Sequence, residues 1–225
     1  MTRITDPTEP AVENCAMMLV QTWTRVNESA LRIQTEPNGA FSRSIFPHDP
    51  CKGEFSENAR YWDNFLYATT GYRTIRRILR LLEPGPEDVF YDLGCGMGRI
   101  LCVAARKPMR KCMGVELFEP LCEIARQNAK NLRGRKTPIE VVCGDATTVD
   151  LSEGTIYFMF NPFGPQTLQD TLENIRRSLA EKPRAIRVCY YNPRYKSVIE
   201  GLDWLVKEHE LETFGRHALT IWASR

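Results

Sequence analysis

The sequence predicts a doubly wound α/β fold: a mostly parallel seven-stranded sheet that ends in an antiparallel hairpin and is preceded by an N-terminal helical extension. Three observations carry this expectation. From Asp88 onward, short apolar runs alternate with amphipathic ones, as right-handed βαβ units require. The first apolar run opens into Gly94-Cys-Gly-Met-Gly98, three alternate glycines leading into a helical stretch. The last two β-like runs are separated by only Gly215-Arg216, a link too short for anything but a hairpin.

In chain order, Ala11 to Ile33 carries apolar residues at three- and four-residue spacing (Val12, Leu19, Trp23, Val26, Ala30) and reads as an amphipathic helix. Pro37-Asn38-Gly39 breaks it, and Pro47 and Pro50 keep the chain irregular until a second helical region, Ser56 to Leu82, with an interruption at Gly71. Residues 1–55 are therefore read as an extension or cap, 56–83 as lid helices and 88–225 as the core that holds cofactor and substrate. Within the core, strands are expected at Val89–Leu93, Lys111–Leu117, Ile139–Cys143, Thr155–Phe160, Ala185–Tyr191, Val206–Phe214 and His217–Ala223. Helices are expected at Arg99–Lys107, Pro120–Arg133, Pro165–Ala180 and Lys196–Leu205. The run from Thr155 to Phe160 is almost wholly apolar, as suits a strand buried on both faces.

At 225 residues and 43% hydrophobic content the chain suits one sizeable domain. Thirty basic against 28 acidic residues give +2, so net charge does not point to nucleic acid or an anionic membrane as partner. The polar first ten residues resemble no targeting signal, and no apolar run reaches the roughly 18 residues that span a bilayer. The expected location is cytoplasmic. The eight cysteines form no C-x-x-C pair and read as structural thiols, and His48, His209 and His217 are too dispersed to share a helix face, so no metal is expected.

Gly94, Gly96 and Gly98 let the backbone approach a ligand where a Cβ would clash, and Asp92 sets a carboxylate at the end of the first strand. A dinucleotide loop reads G-x-G-x-x-G and receives a pyrophosphate; here the third glycine comes one residue early, and Asp92 would repel that group. The same carboxylate would attract the cationic amino group of a methionine moiety. The expected cofactor is S-adenosyl-L-methionine, with S-adenosyl-L-homocysteine as product, rather than NAD.

With these motifs, from about Asp88 to the carboxyl terminus, the sequence resembles the class I S-adenosylmethionine-dependent methyltransferases. The resemblance implies donor contacts from Asp92, Gly94, Cys95, Gly96 and Gly98. Glu116, about twenty residues on in Gly114-Val-Glu-Leu117, would accept from both ribose hydroxyls, with Leu117 beside it. In Cys143-Gly-Asp-Ala146, Asp145 would face the adenine amino group and the Ala146 backbone the ring edge. Similar enzymes place the segment before the core over the donor; of its aromatic residues (Tyr61, Trp62, Tyr67 and Tyr72), Tyr72 is taken as the lid contact.

Asn161-Pro-Phe-Gly164 looks like a shortened Asn/Asp-Pro-Pro-aromatic motif of amino-group methyltransferases. By that resemblance Asn161 accepts from the nucleophile and also borders the donor, Pro162 offers a carbonyl, and Phe163 bounds the pocket and stabilises developing positive charge. These three are the expected catalytic residues. Tyr190, Tyr191, Asn192 and Tyr195 lie on the same rim, where alternation puts one of the tyrosine pair in the core. Arg73, Arg76, Arg77 and Arg80 share a helical face, read either as solvated or as a dock for an acidic partner. The expected activity is methyl transfer to a nitrogen of a protein side chain or small molecule. An O-methyltransferase, a non-catalytic donor-binding module and an NAD-dependent oxidoreductase are the alternatives. The acceptor's identity and a homo-oligomer are left open.

Overall fold

The computed structural model describes residues 24–35 and 70–225. The expected elements at 11–23 and 56–69, with Tyr61, Trp62 and Tyr67, lie outside the described residues. Residues 24–31 are helical. The remaining helices are α1 (Tyr72–Leu82), α2 (Arg99–Ala104), α3 (Glu119–Asn131), α4 (Pro165–Glu181) and α5 (Lys196–Glu200). The strands are β1 (Val89–Leu93), β2 (Lys111–Glu116), β3 (Ile139–Cys143), β4 (Ile156–Phe160), β5 (Arg187–Tyr191), β6 (Leu205–Phe214) and β7 (His217–Ser224).

The sheet runs β3-β2-β1-β4-β5-β7-β6. The first five are mutually parallel, and β7 enters antiparallel between β5 and β6. The order reverses between β1 and β4, so a crevice opens at their carboxyl ends, where open α/β sheets bind ligands. β1 is buried at every position. Its alternation divides the core: Phe90 packs with α1 and α2 on one face, while Val89, Tyr91 and Leu93 pack with α4 and α5 on the other. Edge strand β6 is exposed from its second to its ninth residue and carries charge, with Lys207 paired to Glu200 and Glu210, which discourages edge-to-edge association.

Two expected helices are shorter than their patterns. α2 stops at Ala104 because the Ala105 carbonyl is taken by the backbone N–H groups of Lys136 and Thr137, and Pro108 follows closely. α5 stops at Glu200 because Gly201 caps it, and Leu205, expected as the last helical residue, is the first of β6, opposite Ser224. The expected interruption at Gly71 is present: Gly71 is extended and is the N-cap of α1.

The described part of the extension is bound into the domain. Buried Arg99 donates to Thr35 Oγ1 (2.6 Å), Glu28 Oε1 (3.4 Å) and the Thr70 carbonyl (3.4 Å), and its guanidinium lies 5.1 Å from the Tyr72 ring centroid. Asn128 on α3 brackets Gln34 with two hydrogen bonds and donates to the Met97 carbonyl. Segment 28–35 is thereby fixed to the glycine loop and the helix after it. Among the described residues no helix is long and apolar enough to cross a membrane.

Candidate functional site

The loop after β1 folds back on β2. The N–H groups of Gly94 and Cys95 both donate to the Val115 carbonyl, at 2.8 and 3.0 Å. Gly94, Gly96 and Gly98 all have positive φ (75°, 53° and 78°), a region that costs any residue with a Cβ. Space is restrictive too. A Cβ on Gly94 would lie 2.5 Å from Pro162 Cβ, so the glycine lets the turn after β4 close on the loop after β1; one on Gly98 would lie 3.3 Å from Ala125 Cβ on α3.

Glu116 closes β2, and its carboxylate is oriented by two backbone donors: Gly96 N–H to Oε2 (2.9 Å) and Phe118 N–H to Oε1 (3.0 Å). Each oxygen keeps a second lone pair for a ligand hydroxyl. Burial raises its pKa, and the two N–H groups oppose that shift. Asp92 is 2% exposed, and its Oδ2 has no hydrogen-bond partner among the described residues. Burial, then the nearby Glu116 charge, push its pKa up to about 8. A buried carboxylate oxygen without a donor is costly and calls for a cation or donor from a ligand. The glycine cradle, the two-faced Glu116 and the unpaired Asp92 oxygen together fit the amino acid and ribose of S-adenosylmethionine.

Farther along the rim, Asp145 commits Oδ1 to the N–H and hydroxyl of Thr147, at 2.9 and 2.7 Å, in an Asx-type turn. Ala146 is buried, and Asn174 of α4 secures this turn by donating to the Ala146 and Val149 carbonyls. Leu117 is half-buried just after Glu116. Cys95 is buried within the loop, where burial holds its thiol protonated. Tyr72 is 4% exposed at the start of α1, in the core face that Arg99 caps.

At the end of β4 the chain turns at Asn161 with φ 42°, a left-handed conformation that asparagine tolerates better than most residues. Asn161 is 8% exposed and Phe163 6%. The Tyr190 hydroxyl donates to Asn161 Oδ1 at 2.8 Å in a buried contact. Burial pushes the Tyr190 pKa up to about 12, so this proton stays on the hydroxyl. Both rim tyrosines of β5 are buried, on opposite faces: Tyr190 with Asn161, and Tyr191 against Phe160 and His217, with ring centroids 5.1 and 5.3 Å away. Tyr195 is partly buried against the Tyr190 face.

The structure thus brings Asp92, the glycines, Glu116, Asp145, Ala146 and Asn161-Pro162-Phe163 to the carboxyl ends of β1 to β4. Sequence reasoning missed Arg99, Asn128 and Asn174, polar residues inside helices whose partners lie on distant segments. The arginine face of α1 is exposed yet engaged: Arg76 donates to Asn27, and Arg77 lies 4.3 Å from the Phe214 ring centroid.

A sheet of this order with an acidic glycine loop, a carboxylate ending β2 and an Asn-Pro turn ending β4 defines the class I S-adenosylmethionine-dependent methyltransferase domain. Residues 90–182 match the family model described as methyltransferase domain. It is 35% identical over 101 residues to a protein-lysine N-methyltransferase of Saccharolobus islandicus, covering 44% of this chain and 62% of that protein. It is 25% identical over 143 residues to the histone-lysine N-methyltransferase, H3 lysine-79 specific, of Dictyostelium discoideum, covering 57% of this chain and 8% of that protein. Among solved structures, an RNA methyltransferase from Salinibacter ruber in complex with S-adenosyl-L-homocysteine aligns with a TM-score of 0.53 and 25% identity, over 70% of this chain and 94% of that one. The chain spans less than two thirds of the length of either curated relative.

Proposed function

We propose that this chain transfers a methyl group from S-adenosylmethionine to the side-chain nitrogen of a lysine in a protein substrate. The observation that carries the nitrogen assignment is the turn at Asn161, a buried carboxamide in a left-handed conformation whose Oδ1 is aimed by Tyr190. The two curated relatives named as lysine N-methyltransferases support the choice of lysine.

S-adenosylmethionine, when bound, would supply a sulfonium methyl whose carbon a nucleophile attacks in line, with S-adenosylhomocysteine as the leaving group. The work left to the protein is positioning and exclusion of water. In this reading Asp92 Oδ2 receives the donor's amino group, which gives the orphaned oxygen a charged partner. Glu116 accepts from the ribose hydroxyls with its remaining lone pairs, and Asp145 with the Ala146 backbone borders the adenine. Asn161 Oδ1 accepts one N–H of the neutral acceptor amine with the lone pair that Tyr190 does not use, and the Pro162 carbonyl accepts another. The amine lone pair is then turned toward the methyl carbon. The Phe163 ring bounds the pocket and steadies the positive charge that grows on nitrogen.

The test incubates the full chain with methyl-labelled donor and cell extract, then locates the label by mass spectrometry. Label on lysine side chains of protein, lost in Asn161→Ala, is expected. Label on a hydroxyl, on RNA or only on metabolites overturns the lysine reading.

A further inference from the structure

We propose that Glu119, Cys122 and Cys143 form a zinc site beside the cofactor crevice. The three ligand atoms lie within 4.8 Å of one another, and they come from separate places: Glu119 and Cys122 one turn apart at the start of α3, Cys143 at the end of β3. Two thiols with one carboxylate make a set that favours a borderline-soft ion such as Zn2+ over Mg2+ or Ca2+, which prefer all-oxygen ligands. Three protein ligands leave the fourth tetrahedral position for solvent. Access is provided by Glu119, which is exposed, and Cys143, which is half-buried, while Cys122 forms the buried floor.

The surroundings suit the charge. Arg126 Nη1 is 2.6 Å from Glu119 Oε1. Two thiolates and a carboxylate around a dication carry one net negative charge, which the guanidinium balances while holding the carboxylate in place. Without metal, the Cys122 thiol donates to the Glu116 carbonyl at 3.3 Å and the Cys143 thiol to the Leu117 carbonyl at 3.7 Å. Binding therefore exchanges two S–H protons for two S–Zn bonds and releases both protons to solvent, with no change of oxidation state. The two carbonyls belong to Glu116 and the residue after it, so zinc would release two hydrogen bonds beside the Glu116 carboxylate, on the ribose side of the donor site. This inference does not depend on the lysine assignment.

The experiment uses the full chain, reduced with a phosphine and freed of metal, titrated with Co2+ and then Zn2+. Expected are a near-ultraviolet thiolate-to-cobalt band saturating at one equivalent, its displacement by one equivalent of Zn2+, and release of two protons per ion. Cys143→Ser should abolish the band. Glu119→Gln, at an exposed position that leaves the fold intact, should weaken Zn2+ binding by at least ~10-fold. Cys15→Ser/Cys51→Ser should leave the band unchanged, and melting curves establish that each variant is folded. No thiolate band, a band that survives Cys143→Ser, or Zn2+ affinity unchanged in Glu119→Gln overturns the site.

Discussion

The Tyr190 hydroxyl donates to Asn161 Oδ1 across 2.8 Å, tying the end of β5 to the turn that ends β4. Because β4 and β5 are adjacent and parallel, with Met159 opposite Tyr190, this bond fixes the orientation of the Asn161 carboxamide. Tyr190→Phe keeps the ring and removes the donor. Loss of one buried hydrogen bond costs about 1–2 kcal/mol, so a roughly tenfold fall in kcat is expected. Affinity for S-adenosylhomocysteine should not change. Single-turnover kinetics beside calorimetric titration with S-adenosylhomocysteine separates the two; an equal loss in both would make Tyr190 merely structural.

Asp92 gives a pH dependence. Its folded pKa is raised to about 8, well above that of an unfolded aspartate, so between about pH 4 and 8 the native state binds more protons than the unfolded state. Stability of the ligand-free protein should therefore fall as pH rises through this window. Asp92→Asn should remove that fall and raise the melting temperature at pH 8. The donor's ammonium favours the charged carboxylate, so S-adenosylhomocysteine affinity should rise from pH 6.5 to 8 in the parent and stay flat and weak in the variant. Calorimetry across pH checks both.

Gly94 combines φ 75° with a Cβ site 2.5 Å from Pro162. Gly94→Ala must distort either the glycine loop or the Asn161 turn. A destabilisation of at least about 1–3 kcal/mol is expected from backbone strain, together with loss of detectable S-adenosylhomocysteine binding. Denaturant unfolding and a thermal-shift assay with S-adenosylhomocysteine measure the two effects.

Arg99 is nearly fully buried and pairs with Glu28, whose side chain is 11% exposed. Arg99→Met leaves that carboxylate without its charge partner and removes the donor to Thr35 Oγ1 and the Thr70 carbonyl. A cost of about 3 kcal/mol is expected in urea unfolding. Glu28→Gln added to Arg99→Met should recover part of it, since the remaining amide is neutral. Full additivity of the two single costs would show that the residues are not coupled.

By itself the sequence determined the seven strands, the terminal hairpin and the order of the donor-site motifs. Those features are local: apolar alternation sets strand faces, the glycines fix the loop after β1, and Asp92, Glu116 and Asp145 each sit at a strand end that the pattern marks. Tertiary structure decided what the local pattern does not encode. Helix length at Ala104 was set by Lys136 and Thr137 claiming the Ala105 carbonyl, and the start of β6 at Leu205 by its pairing with Ser224. The aim of Asn161 came from Tyr190, 29 residues away, and the anchoring of segment 28–35 from Arg99 and Asn128. The approach of Cys122 to Cys143 arose because β2 and β3 lie side by side beneath α3. Hydrogen bonds and ligand clusters between distant segments depend on which strands become neighbours, and only the folded sheet order, with its reversal between β1 and β4, supplies that.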